Sequence, residues 1–397
     1  MDTAKKNVVV LASCQAITQV KMSMLIAIAG LSGYALATDK TWATLPITIY
    51  VIGSALATLP SGTFMKRHGR RNGFTFGALF GVGGGLVCAA ALYVESFLLL
   101  CVGTAILGVF VAFGRAYRFA AADSAPKEFK AKAISLVLAG GIVGGVLGPN
   151  LANWTKDAWT GIDFGASFIA ISVLSALTLL ALRPLQIPPL TAVERAEPGR
   201  PMRVIMRQPA FIVAVTASAV GYGVMNLLMV ATPLAMHHHD YPFRNTAFVL
   251  EWHLIGMFAP SFFTGHLITR FGVLPIMVAG ALLNVVCIGI ALSGETVMHF
   301  WASLFILGIG WNFLFTSGST LLTETYAPSE REKTQSMHDF ITFATMAVTS
   351  LISGAMLSHE GWGWHAINYG SLPFIAAVLL VVTWFALMRR RQVSGVS

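Results

Sequence analysis

Apolar segments recur along the whole 397-residue chain, near 8–36, 42–64, 73–94, 97–120, 132–154, 163–183, 210–233, 246–269, 273–293, 298–322, 335–357 and 365–388. Each is close to the roughly 20 residues that cross a ~30 Å hydrocarbon core as an α-helix. With 56% hydrophobic and only 11% charged residues, the chain holds more apolar side chains than one soluble core could bury. In lipid every backbone amide must be satisfied inside its own segment, so the spans are helices. The expectation is an all-α membrane protein of twelve transmembrane helices, with the lipid bilayer as its first partner.

A formal net charge of +9 could point to nucleic acid. The basic residues fall instead in alternate loops, the positive-inside pattern of an inner-membrane protein. Lys5/Lys6, Lys66/Arg67/Arg70/Arg71, Lys127/Lys130/Lys132, Arg183 to Arg207, Arg270, Arg331/Lys333 and Arg389/Arg390/Arg391 mark one side, while Lys40, Lys156 and Arg244 mark the other. Both termini are then cytoplasmic and no nucleic acid is expected. The first apolar segment carries Gln15, Gln19 and Lys21 and lacks a small-residue cleavage site, so it reads as a retained span. Cys14, Cys88, Cys101 and Cys287 all fall inside spans, which suggests neither a disulfide framework nor a CxxC redox site.

A Pro- and charge-rich stretch divides the chain into an N-terminal bundle (1–183), a cytoplasmic linker (184–209) and a C-terminal bundle (210–397). The halves match each other. Gly62-x-x-x-Lys66-Arg67-His68-Gly69 follows span two and Gly265-x-x-x-Thr269-Arg270-Phe271-Gly272 follows span eight. Ala125-Pro126-Lys127-Glu128 and Ala327-Pro328-Ser329-Glu330 follow spans four and ten at nearly the same offset, the signature of an internal repeat.

The Gly-x-x-x-x-Arg-x-Gly-Arg-Arg loop, repeated in a twelve-span chain, resembles the major facilitator superfamily. One departure is Lys66, where an acidic residue usually stands. The resemblance implies two pseudo-symmetric six-helix bundles built from inverted repeats, midplane binding of a solute, and alternating access. Span five carries GGIVGGVLGPN (140–150), similar to the Gly/Pro-rich fifth helix of many facilitators and to a motif associated with antiport; close helix packing is its other explanation. No nucleotide-binding Gly-rich loop followed by Lys and Ser/Thr is present, so ATP is not expected as energy source. Neither a cofactor nor an enzymatic activity is expected, and the chain reads as a monomer.

Candidate solute contacts come from polar or ionisable groups inside spans, which are costly unless they face a cavity or partner. Gln15, Gln19 and Lys21 form such a stripe on span one. Arg115 and Arg118 lie near a span end, where they can snorkel or pair with Asp123. Glu251 and His253 on span eight are candidates for carrying a coupling proton.

The stretch from Tyr222 to Met257 is a helical hairpin with two soft-ligand pairs four residues apart, Met225/Met229 and His253/Met257. Thioether and imidazole suit Cu(I) better than an oxygen-seeking cation. His237, His238 and His239 at the bend could capture a metal or simply be solvated. These pairs, with ATPLAM (231–236) and GMFAPSFFTG (256–265), resemble the facilitator branch that contains RfnT-type riboflavin importers and CcoA-type copper importers. That resemblance implies a metal-binding role for Met225, Met229, His253 and Met257 if the cargo is copper. The copper importers also share cysteines, yet the second half here has only Cys287. Conversely, Tyr222, Trp252, Trp311, Phe313, Phe315, Phe340 and Phe343 could stack on a flat isoalloxazine, while Gln15, Gln19 and Asn312 hydrogen-bond its polar edge. Riboflavin import is therefore the leading expectation, Cu(I) import the second, and drug/H+ export, from the span-five motif, the third.

Overall fold

The computed structural model describes residues 3–39, 42, 45–187, 199–358 and 363–394. Lys40 and the linker portion 188–198 fall outside the described residues, as do the side chains of His237 and His238.

The described residues form an all-helical architecture with no strands. In chain order the helices are α1 (Thr3–Leu36), α2 (Leu45–His68), α3 (Arg70–Tyr93), α4 (Phe97–Gly114), α5 (Tyr117–Asp123), α6 (Lys130–Ala139), α7 (Gly141–Thr155), α8 (Gly165–Ala181), α9 (Met202–Met206), α10 (Pro209–His238), α11 (Phe243–Phe258), α12 (Ser261–Phe271), α13 (Val273–Ser293), α14 (Val297–Leu322), α15 (Arg331–Ser358) and α16 (Trp364–Ser394). Among the described residues ten helices, some continuing through a bend, are long and apolar enough to cross a membrane. The other two expected spans are α8, which is shorter, and α15, whose first turns carry Arg331, Glu332, Lys333, Gln335, His338 and Asp339.

The chain forms two compact units, each discontinuous in sequence. The first comprises 1–126, 140–199 and 328–340, and the second 127–139, 200–327 and 341–397. In the first unit α4 packs on α2 and α3, and α1 on α7 and α8. In the second unit α14 takes the place of α4, packing on α10, α11 and α13.

The internal repeat is visible in the backbone. Gly69 (φ 83°, ψ 156°) and Gly272 (φ 90°, ψ 166°) hold the same conformation between successive helices. Both φ values lie where a Cβ is strained, so glycine suits each turn. A single 3-10 turn accompanies each Ala-Pro pair, following the first at Lys127–Phe129 and starting on the proline of the second at Pro328–Glu330. Gly62 abuts Glu332 and Ser336 within the first unit, and Gly265 abuts Ala131, Lys132 and Ser135 within the second. Each glycine lets a helix approach the start of the helix that follows an Ala-Pro turn.

Glycines of the span-five motif serve packing. A Cβ on Gly144 would fall 2.4 Å from Gln19, and one on Gly148 would fall 2.4 Å from Ser23, so α7 lies against α1 closely enough to exclude larger residues. All four cysteines are buried and free.

Candidate functional site

The second unit gathers an aromatic cluster from four helices. Tyr222 on α10 meets Trp311 and Phe315 of α14 and Phe343 of α15, each with ring centroids 5.1 Å away and edge to face. Trp311 and Phe315, one turn apart on α14, stack at 5.2 Å with 16° between their planes. Phe258 of α11 closes on Trp311 at 5.8 Å. These offset and T-shaped contacts are the favoured geometries of aromatic quadrupoles. Tyr222 is half-buried, and the Trp311 indole is buried with its Nε1 hydrogen-bonded to nothing. A buried indole N–H ordinarily finds an acceptor, so the unpaired one beside these stacked rings is an exception.

Other expected aromatics go elsewhere. Trp252 turns outward, against Phe248, Trp301 and Phe305. Phe313 packs with Ala131, Ile268 and Ile276, and Phe340 belongs to the first unit.

Asn312 is fully engaged by protein. Its Nδ2 donates to Met257 O (2.7 Å) and to Ser261 Oγ (2.5 Å), while its Oδ1 accepts from Thr264 Oγ1 (2.7 Å). These bonds straddle the break between α11 and α12, where Pro260 has no N–H to continue the helix. The sequence reading gave Asn312 to the solute; its geometry is that of a brace for the broken eighth span. Asn312→Ala is expected to lower stability by about 1–3 kcal/mol, through unsatisfied buried groups. Thermal melting in detergent checks this, with the solute KM of the surviving protein nearly unchanged.

His253 is buried, its Nδ1 2.7 Å from Leu304 O on α14, with Nε2 left unpartnered. Gly256 and Gly308 let the two helices cross closely at this level, since a Cβ on either would strike the opposing backbone. The imidazole is thus oriented by α14. Met225 and Met257 are buried, Met229 is half-buried and Glu251 is exposed. Among the described residues no three His, Cys, Asp or Glu side chains gather as a metal site.

In the first unit Lys21 is 3% exposed. Its Nζ donates to Ser175 Oγ (3.2 Å) and Thr178 Oγ1 (3.3 Å) and lies 3.7 Å above the Phe110 ring. Two hydroxyls and a ring face therefore surround the Lys21 amine within the bundle. Gln15 and Gln19 are half-buried, Gln19 against Gly144.

Charged groups missed in the sequence reading concentrate at the start of α15. Arg70, fully buried, reaches Asp123 Oδ2 (2.9 Å), Glu332 Oε1 (2.9 Å) and Gln335 Oε1 (2.6 Å). Asp123 is therefore taken by Arg70, and Arg118, expected beside Asp123, instead pairs with Asp339. Arg115 donates to Thr58 Oγ1 at 3.3 Å. Five ionisable residues within nine positions, 331–339, were the available signal.

Long apolar helices in two repeated units define a multi-pass membrane protein. The chain belongs to the Major Facilitator Superfamily, which it matches over residues 11–259 and 246–396. It is 40% identical over 379 residues to the riboflavin transporter RfnT of Brucella anthropi, covering 95% of each chain. Among solved structures, it superposes on the proton:xylose symporter XylE with a TM-score of 0.80 at 13% identity, covering 96% of this chain and 94% of that one. The human organic anion transporter MFSD10 gives 0.79 at 12% identity, covering 96% and 100%.

Proposed function

We propose that this chain imports riboflavin across a bacterial inner membrane, with both termini cytoplasmic. The carrying observation is the Tyr222, Trp311, Phe315 and Phe343 cluster with its unpaired indole N–H. A flat, electron-poor tricycle gains from offset contact with such rings, and its carbonyl edge offers the acceptor that Nε1 lacks. The similarity to a riboflavin transporter supports the same reading.

A second reading, Cu(I) import, has one observation in its favour: the buried His253 Nε2 has no partner, on the same helix as Met257. Thioether and imidazole would suit that ion. Parallel uptake of labelled riboflavin and of copper by the same cells separates the two. Riboflavin uptake above a vector control is expected, and its absence, with copper accumulating through Met229 and His253, would replace the first reading with the second.

A further inference from the structure

On the side of α10 away from Tyr222, the second unit encloses a slot of about 220 Å³ between α10, α15 and α16. From α10 it is lined by Val220, Gly223, Val224 and Leu227, the i, i+3, i+4, i+7 stripe of one helical face. Thr345, Thr349 and Ile352 line it from α15 with the same helical spacing. Ile367, Gly370 and Phe374 do so from α16. Each stripe covers two turns, a rise of roughly 10 Å, so the slot runs lengthwise between the helices. Gly223 lies midway along α10 (Pro209–His238), which puts the slot at hydrocarbon depth.

Among the described residues the wall carries no charged side chain, and its two hydroxyls are spent. Thr345 and Thr349 turn them back to Ile341 O (2.9 Å) and Met346 O (3.0 Å). Their methyls face Gly223 instead, where a Cβ would fall 3.0 and 3.3 Å from them. Water finds no partners in such a place, and an apolar cavity of this size stays dry. Left empty, it forfeits the dispersion contacts its walls could make. The slot opens outward between α15 and α16. Ile352 and Phe374 at its edge are exposed, as is Val348 on α15, and most of the apolar length of α16 is uncovered. In a multi-pass membrane protein an uncovered apolar helix surface is the one that lipid tails cover, and the slot is continuous with it.

We propose that this slot holds one acyl chain of a bilayer phospholipid, entering between α15 and α16 and lying along α10. Its volume spread over its length leaves the cross-section of a single extended hydrocarbon chain, which is too narrow for a fused ring system. Its depth keeps the headgroup out, and its walls ask for no hydrogen bond. A chain seated there buttresses the helix that carries Tyr222 on another face. The site makes no use of the transported solute, so it stands whether or not that solute is riboflavin.

The test uses purified protein in nanodiscs of phosphatidylethanolamine and phosphatidylglycerol. A fraction of the phosphatidylglycerol carries a diazirine midway along one acyl chain, and adducts formed on illumination are mapped by peptide mass spectrometry. Adducts on 220–227, 345–352 and 367–374 are expected at about ten times the yield on the exposed residues Leu282, Val285 and Val286 of α13, a preference of about 1.4 kcal/mol. Gly370 has no atom within 4 Å of where its Cβ would stand, so Gly370→Leu occupies the slot from the protein side without a clash. In Gly370→Leu the excess is expected to fall about tenfold, while melting in detergent stays at or above the wild-type temperature because a void has been filled. Equal wild-type yields on the slot and on α13 overturn the site and leave surface contact only. An excess that persists in Gly370→Leu overturns it as well. So does a Gly370→Leu protein that fails to fold, since the open space would then not be there.

Discussion

Tyr222→Ala is expected to weaken riboflavin uptake by about tenfold or more, seen as a raised KM with the protein still inserted and folded. The estimate follows from the roughly 1–3 kcal/mol that a heterocycle gains by stacking on one aromatic side chain. Tyr222 is the discriminating position because it is half-buried while Trp311 and Phe315 beneath it are buried. Removing Trp311 would open the core as well as the site, whereas removing Tyr222 chiefly takes away a ring that touches three others. Tyr222→Phe should retain most uptake if the ring face is what matters. An unchanged KM in Tyr222→Ala would detach the aromatic cluster from the solute.

A comparably large effect, on stability, is expected at Arg70. Arg70→Met takes from Asp123 and Glu332, both nearly or fully buried, the cation that bridges them, leaving Arg331 beside Glu332 and the Gln335 amide beside Asp123. Removing one member of a buried ionic cluster costs about 3–5 kcal/mol, because the remaining charge is left uncompensated. The protein should melt far below wild type in detergent. Adding Glu332→Gln to Arg70→Met should recover part of the loss, since it removes one of the charges left behind. If Arg70→Met melts like the wild type, the cluster contributes nothing to folding.

The fold was legible because lipid permits so few solutions: a run of about 20 apolar residues is a helix. The Gly69 and Gly272 turns were legible too, since glycine at matched places in a repeat marks a matched backbone. What a side chain faces was harder to read. Most faces of a membrane helix are apolar, so periodicity does not say which way a lone polar residue such as Asn312 or His253 points. Only the structure turns Asn312 onto the break at Pro260 and His253 onto Leu304. The aromatics show the same limit, with Tyr222, Trp311, Phe315 and Phe343 meeting while Trp252 turns outward. The cluster at 331–339 was hidden for another reason. Its partners Arg70, Arg118 and Asp123 lie more than two hundred positions away, and loop charges are ordinarily explained by membrane orientation.

Segment 328–340 is covalently part of the second half yet belongs by packing to the first unit. Severing the chain within the linker would therefore place Arg70 and Asp123 on one fragment and Glu332 and Gln335 on the other. Assembly of the N-terminal unit must wait for residues translated more than a hundred positions after its last helix, α8. During synthesis Arg70 and Arg118 emerge long before Glu332 and Asp339 exist to receive them. The ribosome thus delivers a bundle in which Arg70 can meet Asp123 early, while Glu332, Gln335 and Asp339 close the remaining ionic fastenings only when the eleventh span arrives.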